Sequence, residues 1–241
     1  MDLRKRFESF IETMPRFESV DALLDDGSYA DKERADCLLW DRNVIVEQKV
    51  LVVDPADKPQ QFMNRLLAQG RIRPFRKSTT RAIFDSLPDG KVLEHKMYLN
   101  MTRSLEKDIA KADRQTRDSR EIFNILEAVG VLLILNENAR ALPPDLIRYR
   151  LDLVYGDVSR GVPRCPYNDG VIMISDAHAL IQPGGNGMPC FAFATIHSKR
   201  AEKFRAYADA LIEAWSAFNH LPIVKRTVDD LQRCVARSSA S

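Results

Sequence analysis

The segment VIVEQKVLVV, residues 44–53, is apolar and rich in β-branched residues, as a buried strand is, and yet it carries Glu47 and Lys49 in its middle. Side chains alternate between the two faces of a strand, so Glu47 and Lys49 share one face with Ile45 and Leu51. Glutamate and lysine are seldom buried unless they are paired, because removing an ion from water costs several kcal/mol. The sequence therefore predicts a strand at which something compensates two neighbouring charges.

Composition is that of an ordinary globular protein, with 45% hydrophobic and 29% charged residues in a chain of 241. That length can bury one substantial core, so we predict a single domain over residues 1–241. No run approaches the roughly 20 apolar residues that span a bilayer. The N-terminal segment MDLRKRFESF is charged too early to hold the core of a signal peptide. The sequence therefore predicts a cytoplasmic protein with no membrane partner.

The sequence contains few signs of nucleic-acid binding by net charge, of a zinc or disulfide framework, or of a Walker A loop. The net charge of +2 is too small to indicate nucleic-acid binding by itself, so such binding has to rest on local patches. The four cysteines are scattered without a C-x-x-C pair, which argues against a zinc knuckle and a disulfide framework. The segment QPGGNGMP (182–189) lacks the G-K-[ST] ending of a Walker A loop and is interpreted as a hairpin connection.

Apolar patterns divide the chain into alternating helices and strands. A helix over 2–14 precedes a predicted hairpin, ADCLLW (35–40) and VIVEQKVLVV, with a turn at 41–43. A helical insertion over about 58–128 follows. The second half is predicted to hold a central strand buried on both faces (131–135), a helix (143–156), two strands (170–175 and 190–196) and a last helix (199–218). This order predicts an α/β fold with a sheet covered on both faces.

An aspartate at the start of one strand, a turn, and a second strand bearing E-x-K together resemble the core motif of the PD-(D/E)xK nuclease superfamily. The matching residues are Asp36 and the triplet Glu47, Gln48 and Lys49, with Ala35 in place of the leading proline. The resemblance covers the first helix and the hairpin closely, and the later strands in outline. It implies a restriction-endonuclease-like mixed β-sheet flanked by helices, with a helical insertion after the E-x-K strand.

The resemblance implies a metal-dependent nuclease that hydrolyses phosphodiester bonds, with DNA as the expected substrate. Hydrolysis of a phosphodiester requires that charge on the phosphate be neutralised and that hydroxide form near neutral pH, and divalent metal ions do both. Asp36, Glu47 and the main-chain carbonyl of Gln48 form a plausible partial shell for Mg²⁺ or Mn²⁺. Lys49 is expected to hold or activate the attacking water, or to stabilise the developing charge on phosphorus.

This site requires that Asp36 project toward the face of Glu47 and Lys49. Residues opposite each other on paired strands share a face, so the loop must have four residues, Trp40–Asn43, or two, unless a β-bulge restores the phase. We predict an even loop or a bulge, with the two carboxylates within about 5 Å of each other, as sharing one ion requires.

Two further sets of residues are candidates for supporting roles. Gln115 is interpreted as a solvated residue of a helix face, with an approach to the metal as the alternative, and Glu8 or Glu12 of the first helix could add a carboxylate. A basic stretch between the first two helices of the insertion offers cations that could bind phosphates independently of sequence. Its cations are Arg71, Arg73, Arg76, Lys77 and Arg81, and we predict that they line the same side of the molecule as Glu47.

Two alternatives stay open. On an exposed sheet face, Glu47 and Lys49 would be a same-face ion pair worth a few tenths of a kcal/mol. The chain could also be a non-catalytic nucleic-acid-binding or assembly protein that keeps the fold of a nuclease. A homodimer is a further hypothesis, since cutting both strands of a duplex usually needs two sites.

Overall fold

The structure is a computed structural model that describes residues 2–25, 29, 31–73, 79–159, 161–182, 185–221, 223, 231–232 and 234–237. Within these residues the helices are α1 (Leu3–Ile11), α2 (Val20–Leu23), α3 (Lys58–Ala68), α4 (Thr80–Asp85), α5 (Gly90–Met101), α6 (Arg103–Ile122), α7 (Pro144–Gly156) and α8 (Ala201–Phe218). The strands are β1 (Glu18–Ser19), β2 (Cys37–Leu39), β3 (Val44–Leu51), β4 (Val129–Asn136), β5 (Val158–Ser159), β6 (Val162–Pro163), β7 (Gly170–Ser175), β8 (His178–Gln182), β9 (Gly185–Gly187), β10 (Cys190–Ala194) and β11 (Cys234–Ala236).

The main sheet of the described chain has six strands in the order β1-β2-β3-β4-β7-β10. Strands β3, β4 and β7 run parallel to one another, while β1, β2 and β10 are added antiparallel at the two sides. The fold is therefore mixed α/β with a mixed sheet. The run VLLIL lies in β4, between β3 and β7, and every residue of that strand is buried, which confirms the predicted central strand.

Helices cover both faces of this sheet, and we name the faces by the helices that cover them. The α6 face includes Leu51 of β3 with Leu132 and Ile134 of β4, and helices α3 to α7 pack on it. The α1 face includes Val46 of β3 with Leu133 of β4, and helices α1 and α8 pack on it. By strand alternation Glu47 and Lys49 belong to the α6 face.

Several elements confirm the sequence-based expectations and others were not foreseen. The insertion is helical as predicted, from Lys58 to Ile122 in four helices of the described chain. The first helix is shorter than predicted and ends at Ile11. The pair β8 and β9 forms a hairpin between β7 and β10, but with β11 it builds a separate small sheet that the sequence did not indicate. In the described part of the chain, no helix is both long enough and apolar enough to span a membrane.

Candidate functional site

The hairpin that carries the proposed site has the predicted four-residue loop. Cys37 pairs with Val46 and Leu39 with Val44, so Trp40–Asn43 joins the strands. Trp40, Asp41 and Arg42 all adopt positive φ angles between 48° and 63°, which is an uncommon conformation for residues other than glycine. Arg42 holds the loop through a 2.6 Å ion pair with Glu18. The prediction of an even loop is confirmed.

Asp36 lies directly before the first residue of β2, beside β3. Its amide donates to the carbonyl of Val46 (3.1 Å), and its carboxylate Oδ2 accepts from the amide of Gln48 (2.5 Å). Because a strand N–H points within the plane of the sheet, the carboxylate occupies the position that a neighbouring strand would take. Burial raises the pKa of Asp36, while the Gln48 amide and the charge of Lys49 act in the opposite direction.

Helix α6 fixes the segment that leads into Asp36. The amide of Glu33 donates to the carboxylate of Asp118 (3.1 Å), and the amide of Ala35 donates to the hydroxyl of Ser119 (3.0 Å). Between them, the side-chain amide of Gln115 donates to the carbonyl of Arg34 (2.6 Å). Helix α6 thus binds the main chain of three successive residues. These contacts fix the position of the segment that leads into Asp36.

Asp36 opens onto a cleft on the α1 face. The cleft has a volume of about 390 Å³, and Asp36 lines it together with Gln48 of β3 and with Glu8 and Glu12 of α1. The first helix therefore brings its two acids to the cleft that Asp36 lines, although Glu8 is paired with Arg4 at 2.7 Å. Asp36 thus meets the α1 face, whereas Glu47 and Lys49, which belong to the α6 face, are not among the described residues that line this cleft. The predicted projection of Asp36 toward the face of Glu47 is not seen at this cleft, and the separation of the two carboxylates stays a prediction.

Glu47 and Lys49 form a contact on the α6 face. Glu47 is 1% exposed, and its Oε1 accepts from the ammonium of Lys49. The same ammonium also donates to Oε1 of Gln115 (3.2 Å). The expectation that Gln115 is a solvated residue of the helix face is wrong, because Gln115 is buried and its amide bridges Lys49 to the carbonyl of Arg34.

The ion pair with Lys49 uses only one of the two carboxylate oxygens of Glu47. Glu47 Oε2 is buried and has no hydrogen-bond partner among the described residues. Burial raises the pKa of Glu47 from 4.5 to about 7, the charge of Asp36 acts in the same direction, and the contact with Lys49 opposes both. A buried oxygen without a partner costs about 1–3 kcal/mol, so this atom would gain from a ligand.

The raised pKa of Glu47 predicts how stability depends on pH when divalent metal is chelated. The folded protein binds a proton at Glu47 more tightly than the unfolded chain, so this contribution is complete below about pH 4.5 and is lost as the pH rises through about 7. The change from 4.5 to about 7 corresponds to about 3 kcal/mol. We expect the melting temperature in EDTA to fall between about pH 5 and pH 8, and Glu47→Gln to flatten that fall. Parallel profiles for the two proteins, measured by circular dichroism, would contradict the assignment.

Two residues of α6 near the pair were missed by the sequence analysis. The charge of Lys111 reaches Glu47, and the charge of Lys49 reaches Asp108, whose pKa is raised by burial. Asp108, Lys111 and Gln115 follow one another at intervals of three and four residues, which places them on one side of the helix. From that spacing the sequence could have predicted that these three residues share the helix face that is turned toward the E-x-K strand.

The basic stretch is only partly described. Ile72 packs in the same apolar cluster as Leu132 and Ile134, so this part of the stretch lies on the α6 side of the sheet, as predicted. Arg71 is engaged in an ion pair with Asp89. Arg76 and Lys77 lie outside the described residues, and whether Arg73 and Arg81 bind phosphates stays a prediction.

A serine and a histidine in contact elsewhere do not form a second site. The hydroxyl of Ser175 lies 3.0 Å from Nδ1 of His178, whose Nε2 lies 3.0 Å from the carbonyl of Arg140. Ser175 and His178 are 0% and 1% exposed, so a substrate cannot reach them. Cys165 is also buried, and burial raises the pKa of its thiol to about 12, which leaves it unreactive. Ser175, His178 and Cys165 are part of the buried interior.

The described acids near Glu47 do not belong to a larger metal-ligating cluster. In the described ranges, no group of three or more histidine, cysteine, aspartate and glutamate side chains is arranged to hold a metal ion. Mg²⁺ is commonly bound through one or two carboxylates, with water and substrate phosphate completing its shell. Comparisons with protein-family models, with curated proteins and with solved structures give no match for this chain.

Proposed function

We propose that the chain is a metal-dependent nuclease that hydrolyses phosphodiester bonds of nucleic acid, with DNA as the first substrate class to test. The observation that carries this proposal is the buried Oε2 of Glu47, which has no partner among the described residues although its carboxylate lies beside a lysine and near a second acid. A partner at this oxygen would stabilise the protein, because an unpaired buried oxygen costs free energy.

The donor set fits a hard divalent cation. Asp36 and Glu47 supply two carboxylates, and the main-chain carbonyl of Gln48 lies between the two charged residues of β3. Mg²⁺ and Mn²⁺ prefer such oxygen ligands. When bound, the metal would lower the pKa of a coordinated water and neutralise charge on the phosphate.

Lys49 is then the residue that acts on the reacting groups. Its side chain is 17% exposed, and its ammonium is oriented by hydrogen bonds to Glu47 and Gln115. From this position it would orient the attacking water and donate a hydrogen bond to the phosphate oxygen on which charge develops. Gln115 is a positioning residue, since it contacts Lys49 and the main chain of Arg34.

We also infer that the mixed sheet is restriction-endonuclease-like. This inference rests on the position of β3 in the sheet. The strand with E-x-K lies between its hairpin partner β2 and the parallel strand β4, and the helical insertion connects β3 to β4. The active residues therefore lie near the point where the strand directions change from antiparallel to parallel.

The test is a metal titration with defined substrates. Purified protein is incubated with plasmid, single-stranded DNA, duplex DNA and RNA in EDTA, Mg²⁺, Mn²⁺ or Ca²⁺, and products are resolved on denaturing gels. We expect cleavage in Mg²⁺ or Mn²⁺, none in EDTA, and a rise in melting temperature on adding metal at pH 8 that Asp36→Asn and Glu47→Gln abolish. Metal-independent melting together with no cleavage of any substrate would contradict the proposal. Light scattering of the same sample tests the homodimer hypothesis, which a monomer at all concentrations would overturn.

A further inference from the structure

Helix α6 carries a row of cations on the side that faces solvent. From residue 103 to residue 117 its exposed positions are Arg103, Ser104, Lys107, Lys111 and Arg114, so four of the five are cations. Their spacing of three and four residues places the cations along one face of the helix. We call these four residues, Arg103, Lys107, Lys111 and Arg114, the α6 basic row. At a rise of about 1.5 Å per residue the row is about 16 Å long.

Three members of the row are not engaged by acids within the described residues. Arg114 is paired with Glu33 at 3.2 Å, whereas Arg103, Lys107 and Lys111 form no ion pair or hydrogen bond with another described side chain. Of the two acids next to Lys107, Glu106 is bound on the other side of the helix by Arg150 and Arg164. The other, Asp108, whose pKa is raised by burial, lies near Lys49 and Lys111, whose charges act in the opposite direction. Arg103 and Lys107 therefore present positive charge to solvent without an ion pair among the described residues.

The row passes the candidate site. Gln115, one residue beyond Arg114, contacts Lys49, and the charge of Lys111 reaches Glu47. A chain of phosphates that lay along α6 would thus pass Lys111 and come near the Glu47–Lys49 pair. The arrangement differs from that of Arg71, which is neutralised by Asp89.

We propose that the α6 basic row binds the sugar-phosphate backbone of the nucleic acid and leads it to Lys49. This inference rests on the proposed nuclease function and adds the surface that holds the substrate. Contacts of lysine and arginine with phosphates do not read sequence, and they weaken as salt rises because bound counterions are released. The row accordingly predicts salt-sensitive binding without strong sequence preference.

The experiment uses the double variant Arg103→Gln/Lys107→Gln, which removes two charges and leaves Lys111 and the carboxylates untouched. Its matched control is Lys203→Gln/Arg205→Gln, which removes two exposed cations from α8 on the other side of the sheet. Binding of fluorescent single-stranded and duplex DNA of mixed sequence is measured by anisotropy in EDTA from about 50 to 300 mM salt. Thermal melts verify that both variants are folded.

We expect the slope of log affinity against log salt to fall by about two for the α6 variant, with a loss of affinity on the order of tenfold at low salt. The control should match the wild type. An unchanged slope in the α6 variant, or an equal loss in the control, would overturn the inference, and continued Mg²⁺-dependent cleavage by the wild type would show that the proposed function survives it. Binding to anionic lipid vesicles but to no nucleic acid would overturn both.

Discussion

Lys49→Ala is expected to lose nuclease activity by a factor on the order of 10²–10³ while the protein remains folded. The ammonium of Lys49 contacts Glu47 and Gln115, and no other cation is recorded within hydrogen-bond distance of Glu47 in the described chain. Without it, developing charge on the phosphate loses its donor. The loss of the charge also raises the pKa of Glu47 further, since the contact with Lys49 lowers that pKa in the wild type.

A companion variant separates chemistry from packing. Lys49→Met keeps most of the aliphatic stem and removes only the ammonium, so it should match Lys49→Ala in activity and exceed it in stability. Lys203→Ala removes an exposed lysine from α8 and should leave the rate unchanged. Steady-state cleavage of a fluorescent oligonucleotide, with metal affinity measured in parallel, gives the comparison. Activity of Lys49→Ala within about threefold of the wild type would contradict the role assigned to this lysine.

The same measurements decide between the proposed nuclease and the alternative, a non-catalytic nucleic-acid-binding protein. A non-catalytic nucleic-acid-binding protein would bind DNA and cleave nothing in Mg²⁺ or Mn²⁺. In that case Lys49 and Glu47 would be retained as an internal ion pair, and Lys49→Ala would act on stability alone, because breaking a buried pair leaves one charge uncompensated.

Much of the scaffold could be predicted because apolar periodicity reports directly on burial. The continuous run that ends in Leu135 marks a strand covered on both faces, and β4 is such a strand. The phase of the hairpin was also predictable, since only an even loop or a bulge brings Asp36 toward Glu47. The short strands β1, β5 and β6 were missed because segments of two residues carry no periodic signal.

The contacts that hold Lys49 and the segment before Asp36 were harder to predict, because they come from buried polar side chains of α6. A helix with so many charged residues suggests exposure, and on that ground Gln115 was assigned to solvent. In the structure, Asp113, Gln115, Asp118 and Arg120 are all buried. Each is satisfied by main-chain groups or ions far away in sequence, and sequence patterns contain no information about such partners.

The direction of the Asp36 carboxylate was also hard to predict, because it too depends on a main-chain partner. A regular continuation of the β2–β3 register would place Asp36 opposite Glu47. Instead the amide of Asp36 donates to the carbonyl of Val46, and its carboxylate turns to the amide of Gln48, which β2 leaves unpaired. An unpaired main-chain N–H attracts a neighbouring carboxylate strongly, because a hydrogen bond to a charged group contributes about 1.5–3 kcal/mol. The sequence indicated the pairing of the strands, but it did not show that this edge would capture the carboxylate.

Asp169→Ala is expected to have the largest effect on stability, because Asp169 joins α6, β4 and the segment before α8. Its Oδ2 accepts from the guanidinium of Arg120 (2.6 Å) and from the amide of Gly130 (2.8 Å), and its Oδ1 accepts from the hydroxyl of Ser198 (2.5 Å). The side chains of Asp169 and Arg120 are 1% and 6% exposed. Alanine would therefore leave a buried guanidinium without its counter-ion.

Breaking a buried pair by removing one partner costs about 3–5 kcal/mol, which for a chain of this length lowers the melting temperature by roughly 6–20 °C. The control is Asp176→Ala, because Asp176 also pairs with an arginine, Arg6, at 2.8 Å, but both side chains of that pair are about one-quarter exposed. Removing that partly solvated pair should cost about 1 kcal/mol or less. Equal losses for the two variants in chemical denaturation would contradict the prediction. A much greater loss for Asp169→Ala would show that this contact holds α6, and with it Gln115 and the segment before Asp36, against the sheet.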